Sequence, residues 1–299
     1  MRSHSRAFTA LRRGALALAA AAAAVFVCAP ANAATGGKVL VVLSSASQLE
    51  LRDGRNYRTG YYLDELSIPL RKLVAAGYTP VFANPRGNAA DFDPVSNDKM
   101  FFGNDEAARA RAEGYVHGLR ELQAPRRLSA VLAEGTQDYV GIFIPGGHAP
   151  MQDLVDDKDL GRILAAFHAD HRPTGVICHG PTALLSALPD PAAFRKAMVS
   201  GNFPAANQLA TGWPYAGYRL TVFSSGEEHF IEGAQGQLGG AVQFYAADAL
   251  AEAGAHVERI AAFHPNVVED RELVSGQQPF SSDVFGDAFV EKLKAYKGR

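Results

Sequence analysis

The sequence predicts an α/β fold: a doubly wound, mostly parallel sheet flanked by helices, with a capping insertion. Three features predict it. Lys38-Val39-Leu40-Val41-Val42-Leu43 is a continuous apolar run that alternates too little for a sheet with one wet face, as expected where helices cover both faces. Strand, helix and strand then follow one another between Lys38 and Ala83 at the spacing of a crossover unit. Finally, Gly175-Val176-Ile177 runs straight into Cys178-His179-Gly180 and an apolar, helix-compatible stretch, which reads as strand, turn and helix with cysteine at the turn.

Residues 1–33 lie outside this pattern. Arg2, Arg6, Arg12 and Arg13 form a basic region without acids, Ala15 to Ala29 is apolar, and Ala31-Asn32-Ala33 is an A-x-A cleavage signal. The apolar run is short for a membrane span, which needs about 20 residues. We expect a signal peptide, a mature chain from Ala34, and export to a bacterial periplasm or beyond, with no membrane association after cleavage. Arg12-Arg13 only partly matches a twin-arginine signal, so the export route stays open. Loss of four arginines takes the formal charge from −2 to −6. That balance leads us to expect neither nucleic acid nor an anionic membrane as a partner. Cleavage also removes Cys28, leaving Cys178 as the only cysteine. An unpaired thiol in an oxidising compartment favours reactivity over packing, although a buried free cysteine is a common core residue.

Residues 34–299 are read as one domain. After the first strand, Ser44 to Tyr61 is a polar loop. Leu66, Leu70, Leu73 and Val74 share a helical face that Gly77 stops. Pro69 is best tolerated in a first turn, which puts Glu65 just before this helix. Thr79 to Ala83 is the second strand. Residues 84–138 form the insertion, with one or two helices between Asp105 and Leu132, and read as a cap or dimer contact.

Tyr139 to Ile144 is a buried strand emptying into Pro145-Gly146-Gly147-His148. Adjacent glycines there suit either an oxyanion site of backbone N–H groups or a simple tight turn. His148 reads as a hydrogen-bonder at that turn rather than a base. The segment from Asn202 to Gly217, with the single Trp213, is placed as one wall of a pocket. Arg219 to Phe223 is a strand, Leu238 to Gly254 an amphipathic helix, Val267 to Gly276 a hairpin, and Ser281 to Tyr296 a helix capped by Ser281 or Ser282. His168 and His171 are spaced for one helix face, but such a pair is usually solvent-facing. There is no His-Glu-x-x-His and no cysteine cluster, so no metal ligands are assigned.

Five stretches together carry a family resemblance: Gly60-Tyr-Tyr-Leu-Asp-Glu65-Leu, Pro145-Gly-Gly-His148, Cys178-His-Gly-Pro181, Thr221-Val-Phe-Ser-Ser-Gly-Glu-Glu228 and Leu273-Val-Ser-Gly-Gln-Gln-Pro-Phe-Ser-Ser282. In this order the chain resembles the ThiJ/PfpI superfamily, from about Lys38 to Leu293. The resemblance implies a class I glutamine amidotransferase-like, flavodoxin-like sandwich, and points to the branch of glutathione-independent glyoxalase III and the heat-shock holding chaperones. Residue by residue, Cys178 matches the nucleophile, His179 its partner, and Glu65 the acid that meets the cysteine. Glu228, or Glu227 with the alignment slipped by one, matches the third member of the triad. Gly146 and Gly147 match the oxyanion site and, with His148, make the substrate-binding set. Ala149-Pro150, Gln243 and Gln278 depart from the family pattern. The resemblance implies conversion of methylglyoxal to lactate without cofactor or metal, on a small carbonyl substrate, by a homodimer. Amidase, peptidase, deglycase and isonitrile hydratase chemistry, and a holding chaperone or redox sensor, are the competing classes.

Overall fold

The computed structural model describes residues 36–233 and 237–298. The expected signal peptide and the mature start at Ala34 lie outside the described residues. Seven strands form the central sheet: β1 (Lys38–Val42), β2 (Thr79–Asn84), β3 (Arg126–Arg127), β4 (Tyr139–Ile144), β5 (Thr174–Ile177), β6 (Val267–Asp270) and β7 (Leu273–Gly276). Their order is β6-β7-β5-β4-β1-β2-β3, and every pairing is parallel except the β6–β7 hairpin.

Successive side chains of a strand point to opposite faces, and both faces here are covered. Leu40 and Val42 of β1, with Ile142 and Ile144 of β4, pack against Leu160, Ile163, Leu164 and Phe167 of helix α2 (Lys158–Ala169). On the other face Val39, Val41, Phe143 and Ile177 meet Leu66, Leu70 and Leu73 of helix α1 (Leu63–Ala75). Phe285, Phe289 and Leu293 of the carboxyl-terminal helix (Ser282–Ala295) complete that layer. The continuous apolar reading of β1 thus reflects two dry faces.

Several expectations are corrected. Glu65 lies inside α1, in its first turn, and Pro69 sits within the helix. Tyr62 offers no side-chain cap, but the Leu63 N–H donates to Ser96 Oγ of the insertion at 2.9 Å, so a remote serine caps the helix. After Cys178 the chain forms a 3-10 helix over Gly180–Ala187 rather than an α-helix, and a separate helix begins at Pro191, with Asp190 as its cap. Pro189 and Pro191 impose that break, since a residue before proline avoids the helical region. The expected 238–254 helix shrinks to Ala246–Glu252, behind a glycine in the left-handed region at Gly239. Of the 219–223 strand only Arg219–Leu220 pairs, with His256–Val257.

None of residues 202–217 lines the cavity beside Cys178. Trp213 and Tyr215 are core, and Trp213 Nε1–H donates to the Leu184 carbonyl at 2.8 Å. Ser281 and Ser282 stand at the last helix's start but point elsewhere: Ser281 Oγ accepts from the Asn266 N–H and Ser282 Oγ donates to Asp64. Within residues 84–138, β3 extends the sheet edge next to β2.

Candidate active site

Cys178 immediately follows β5, at the carboxyl end of the sheet, where α/β folds bind their ligands. Its φ of 59° lies in the left-handed region, which costs a non-glycine residue about 1–3 kcal/mol. Two hydrogen bonds hold it there. Its N–H donates to the Gly276 carbonyl at 2.9 Å and its carbonyl accepts from the Phe223 N–H at 3.0 Å. The Cys178 N–H is thus committed to β7, and it is the Gly147 N–H that faces Sγ.

His179 Nδ1 lies 3.3 Å from Cys178 Sγ, and its Nε2 lies 2.6 Å from Glu228 Oε2. The carboxylate accepts from Nε2–H, which leaves Nδ1 as the nitrogen free to take the thiol proton. Glu228 rather than Glu227 occupies this position. Glu227 turns back into a capping box with Ser224 at the start of the Ser225–Glu232 helix and also accepts from Gln277.

The other oxygen of Glu228 goes to His148. His148 Nε2 donates to Oε1 at 2.9 Å, the two imidazoles lie 4.1 Å apart, and His148 Nδ1 has no partner. His148 thus faces the cavity but bonds across to Glu228, not within its own turn. All three groups are buried. Burial opposes the charge on Glu228, yet the two histidines outweigh it and hold the carboxyl well below the usual range. Burial, then the neighbouring His148, pushes the His179 pKa down. Burial also opposes charge on His148, but Glu228 more than compensates and raises its pKa. Glu228 thus favours charge on His148, while His179 is pushed towards its neutral form.

Glu65 approaches from α1. A Cβ at Gly146 would fall 2.5 Å from Cys178 Cβ and 2.6 Å from Glu65 Oε2, so only glycine lets the backbone pass between thiol and carboxyl. A Cβ at Gly147, whose φ is 77°, would strike the Gly60 carbonyl. The N–H groups of both glycines lean towards Glu65 without closing a hydrogen bond, and neither of its oxygens has a partner. Burial, and next the adjoining Asp64, push the Glu65 pKa well up, so it keeps its proton. Burial raises Cys178 too, with Glu65 adding to this whenever it is ionised. The resting group is therefore a thiol beside a protonated carboxyl. Removal of its proton falls to His179.

Cys178, His179, His148 and Tyr62 line a cavity of about 950 Å³, walled mainly by aromatic and aliphatic side chains. Tyr62 and Gln237 are partners missed in the sequence: the Gln237 amide donates to both Tyr57 and Tyr62 hydroxyls. Tyr62 stood inside a quoted motif, but nothing local marks Gln237. Met100 and Phe101, from residues 84–138, also line the cavity. His148, His179 and Glu228 also place one potential ligand atom each within 4.8 Å of one another. They are a donor set for a metal that the sequence analysis does not assign, though here those atoms bond to each other.

The pattern of the DJ-1/PfpI family matches residues 59–189. The protein/nucleic acid deglycase HchA of Pseudomonas aeruginosa is 26% identical over 262 residues, covering 86% of this chain and 81% of the relative. The Rapid Encystment Protein 24 KDa of Francisella tularensis superposes with a TM-score of 0.64 at 21% identity, over 86% of this chain and 99% of that one. Glyoxalase III of Candida albicans does so with 0.60 at 21%, over 86% and 97%. These two establish the fold alone.

The deglycase name overturns the exclusion of nucleic acid drawn from charge. Net charge bears on affinity for a phosphate backbone, and says nothing about chemistry on an adduct carried by a base.

Proposed function

We propose that this chain is a cofactor-independent cysteine enzyme that converts methylglyoxal to lactate through a hemithioacetal on Cys178. The observation that carries the reading is a strained cysteine at the cavity floor, between a neutral histidine and a protonated carboxyl. His179 Nδ1 takes the thiol proton as Sγ bonds to the aldehyde carbon, and the proton passes to the carbonyl oxygen. The Gly147 N–H favours the negative charge that develops on sulfur as the proton leaves. His179 then removes the hydrogen from C1, while Glu65 donates to the C2 oxygen, giving an enediol. His179 returns its proton to C2 while Glu65 takes back a proton from the C1 hydroxyl, which leaves a thioester, and water releases lactate and the thiol. The sum is addition of one water, and general acid–base steps of this kind typically contribute about 10²–10⁴-fold.

The relatives' name favours a second reading on the same centre. A hemiaminal formed by methylglyoxal and an amine, on a protein or a nucleobase, would lose the amine as Sγ bonds to C1. The amine leaves with the proton held by His179, and the same hemithioacetal results. Both readings therefore share every step after the first.

The test is incubation of residues 34–299 with methylglyoxal, without glutathione or added metal, following dicarbonyl loss and lactate together. Cys178→Ala is expected to abolish lactate, and Glu65→Gln to reduce it by about 10²-fold or more. Full turnover by Cys178→Ala would sink the proposal. Amine release from a preformed hemiaminal, with no lactate from free methylglyoxal, would select the deglycase reading.

A further inference from the structure

The cavity is far larger than the proposed substrate needs. Methylglyoxal has five non-hydrogen atoms and fills about as much space as three or four waters at ~30 Å³ each. The cavity holds about 950 Å³, the upper end of sites that take drug-sized ligands.

Its chemistry is as distinctive as its size. Above the polar floor the walls are Val95, Met100, Phe101, Phe230, Phe263 and Phe280. Phe101 packs on Phe280 with ring centres 5.8 Å apart, and Phe230 stands edge-on to Phe263 at 5.3 Å. Three of these residues remain open to water: Phe230 is 73% exposed, Met100 47% and Val95 40%. Large apolar side chains held in water around a cleft mark a surface that something covers. No Lys or Arg is among the described lining residues, and His148 is already paired with the Glu228 carboxylate.

Because the apolar walls rise directly from the reactive thiol, we propose that the preferred substrates are 2-oxoaldehydes bearing an extended apolar alkyl or aryl group, rather than methylglyoxal itself. The inference rests on the glyoxalase reading and names its substrate class. The dicarbonyl end takes the floor, between Cys178, His179 and Glu65. The apolar group lies between the Phe101–Phe280 and Phe230–Phe263 pairs, and its binding covers the exposed rim.

The experiment is a homologous series, 2-oxopropanal (methylglyoxal), 2-oxopentanal and 2-oxoheptanal, with each 2-hydroxy acid quantified. The reacting end is constant, so differences report the tail. Burial of each methylene should raise kcat/KM about fourfold, or on the order of 10²-fold across the series. Met100→Glu places a carboxylate on the rim, at an exposed position where the fold tolerates it, and should cut that ratio below about tenfold. A flat or falling series with methylglyoxal turned over would overturn the proposal and leave the glyoxalase reading standing. A rise that ignores Met100→Glu would place the tail outside this cavity and overturn it as well. No 2-hydroxy acid from any member, by a protein whose Cys178 still reacts with iodoacetamide, would remove the glyoxalase reading and this inference with it.

Discussion

Two His–Glu–His arrangements sit at opposite ends of the same pair of parallel strands, β5 and β7. At the carboxyl end Glu228 lies between His148 and His179, all three buried. At the amino end Glu272 lies between His168, 3.1 Å away, and His171, 3.9 Å away. The carboxylates are equally buried, but the His168 and His171 side chains are 27% and 67% exposed. Glu272 also accepts from the Tyr218 hydroxyl at 3.0 Å, so the cluster ties α2 and the 218 loop to the β6–β7 turn. The sequence expects His168 and His171 to be solvent-facing, which holds for His171 only.

A histidine–carboxylate pair therefore does not make a site. What separates the two ends is burial of both imidazoles, the only cysteine among the described residues, and a cavity opening onto it. The amino end is an anchor, built of the same residue types and joined to the same strands.

The sharpest way to break this comparison is to neutralise each glutamate in turn. Glu228→Gln removes the charge that fixes the His179 tautomer and supports charged His148. We expect kcat/KM for the best dicarbonyl to fall about 10³-fold, within the range for losing general-base function. Glu272→Gln should leave kcat/KM within about twofold and lower stability by about 1–3 kcal/mol, through weakened bonds to a buried group. Equal activity losses, with Tm unchanged in both, would erase the distinction between site and anchor.

A smaller effect separates the two histidines of the active end. His148 is raised and His179 lowered, and part of the lowering comes from His148 itself. In His148→Asn that positive neighbour disappears, so the pKa of His179 rises. Since His179 must be neutral to accept the thiol proton, the acid limb of the pH–kcat/KM profile should move to higher pH. Activity at pH 6 should fall about tenfold, and less above pH 8. An acid limb that stays in place would show that His148 does not act through His179.

How much of this was legible beforehand follows the range of the interactions. The sheet, Cys178 and the two glycines are local signals: apolar runs, and a strand meeting a turn. The adjacency of Cys178 and His179 is written in the chain. Choosing Glu228 over Glu227 was not, because both stand on the first turn of one helix and only the capping box with Ser224 turns Glu227 away. The position of Glu65 was missed by a few residues, because the serine that starts its helix lies 33 positions downstream. Trp213 looked like a pocket wall from its polar neighbours, and proved to be core through a bond to a distant carbonyl. The role of His148 needed tertiary structure, since its partner is 80 residues away.

The two ends differ once more in how their acids are satisfied, and this gives the mildest test. Both oxygens of Glu272 accept from Tyr218, whereas Asp64 Oδ1 and both oxygens of Glu65 have no partner. Burial, against a compensating bond from Ser282, pushes Asp64 up to about 8. The unfolded chain gives up that proton near pH 4. Between these values the folded state binds more protons than the unfolded one, so stability falls as pH rises, by up to about 1.4 kcal/mol per pH unit for one group. Asp64→Asn keeps the shape and removes the titration. Urea unfolding from pH 4 to pH 8 should show a shallower decline in the variant than in the parent, with the two most alike near pH 4 and the variant the more stable at pH 8. Glu65 titrates in the same sense, so a residual slope should persist. An unchanged slope in Asp64→Asn would mean that Asp64 is ionised in the folded state, and that the acidic pair on α1 is not held neutral as the site requires.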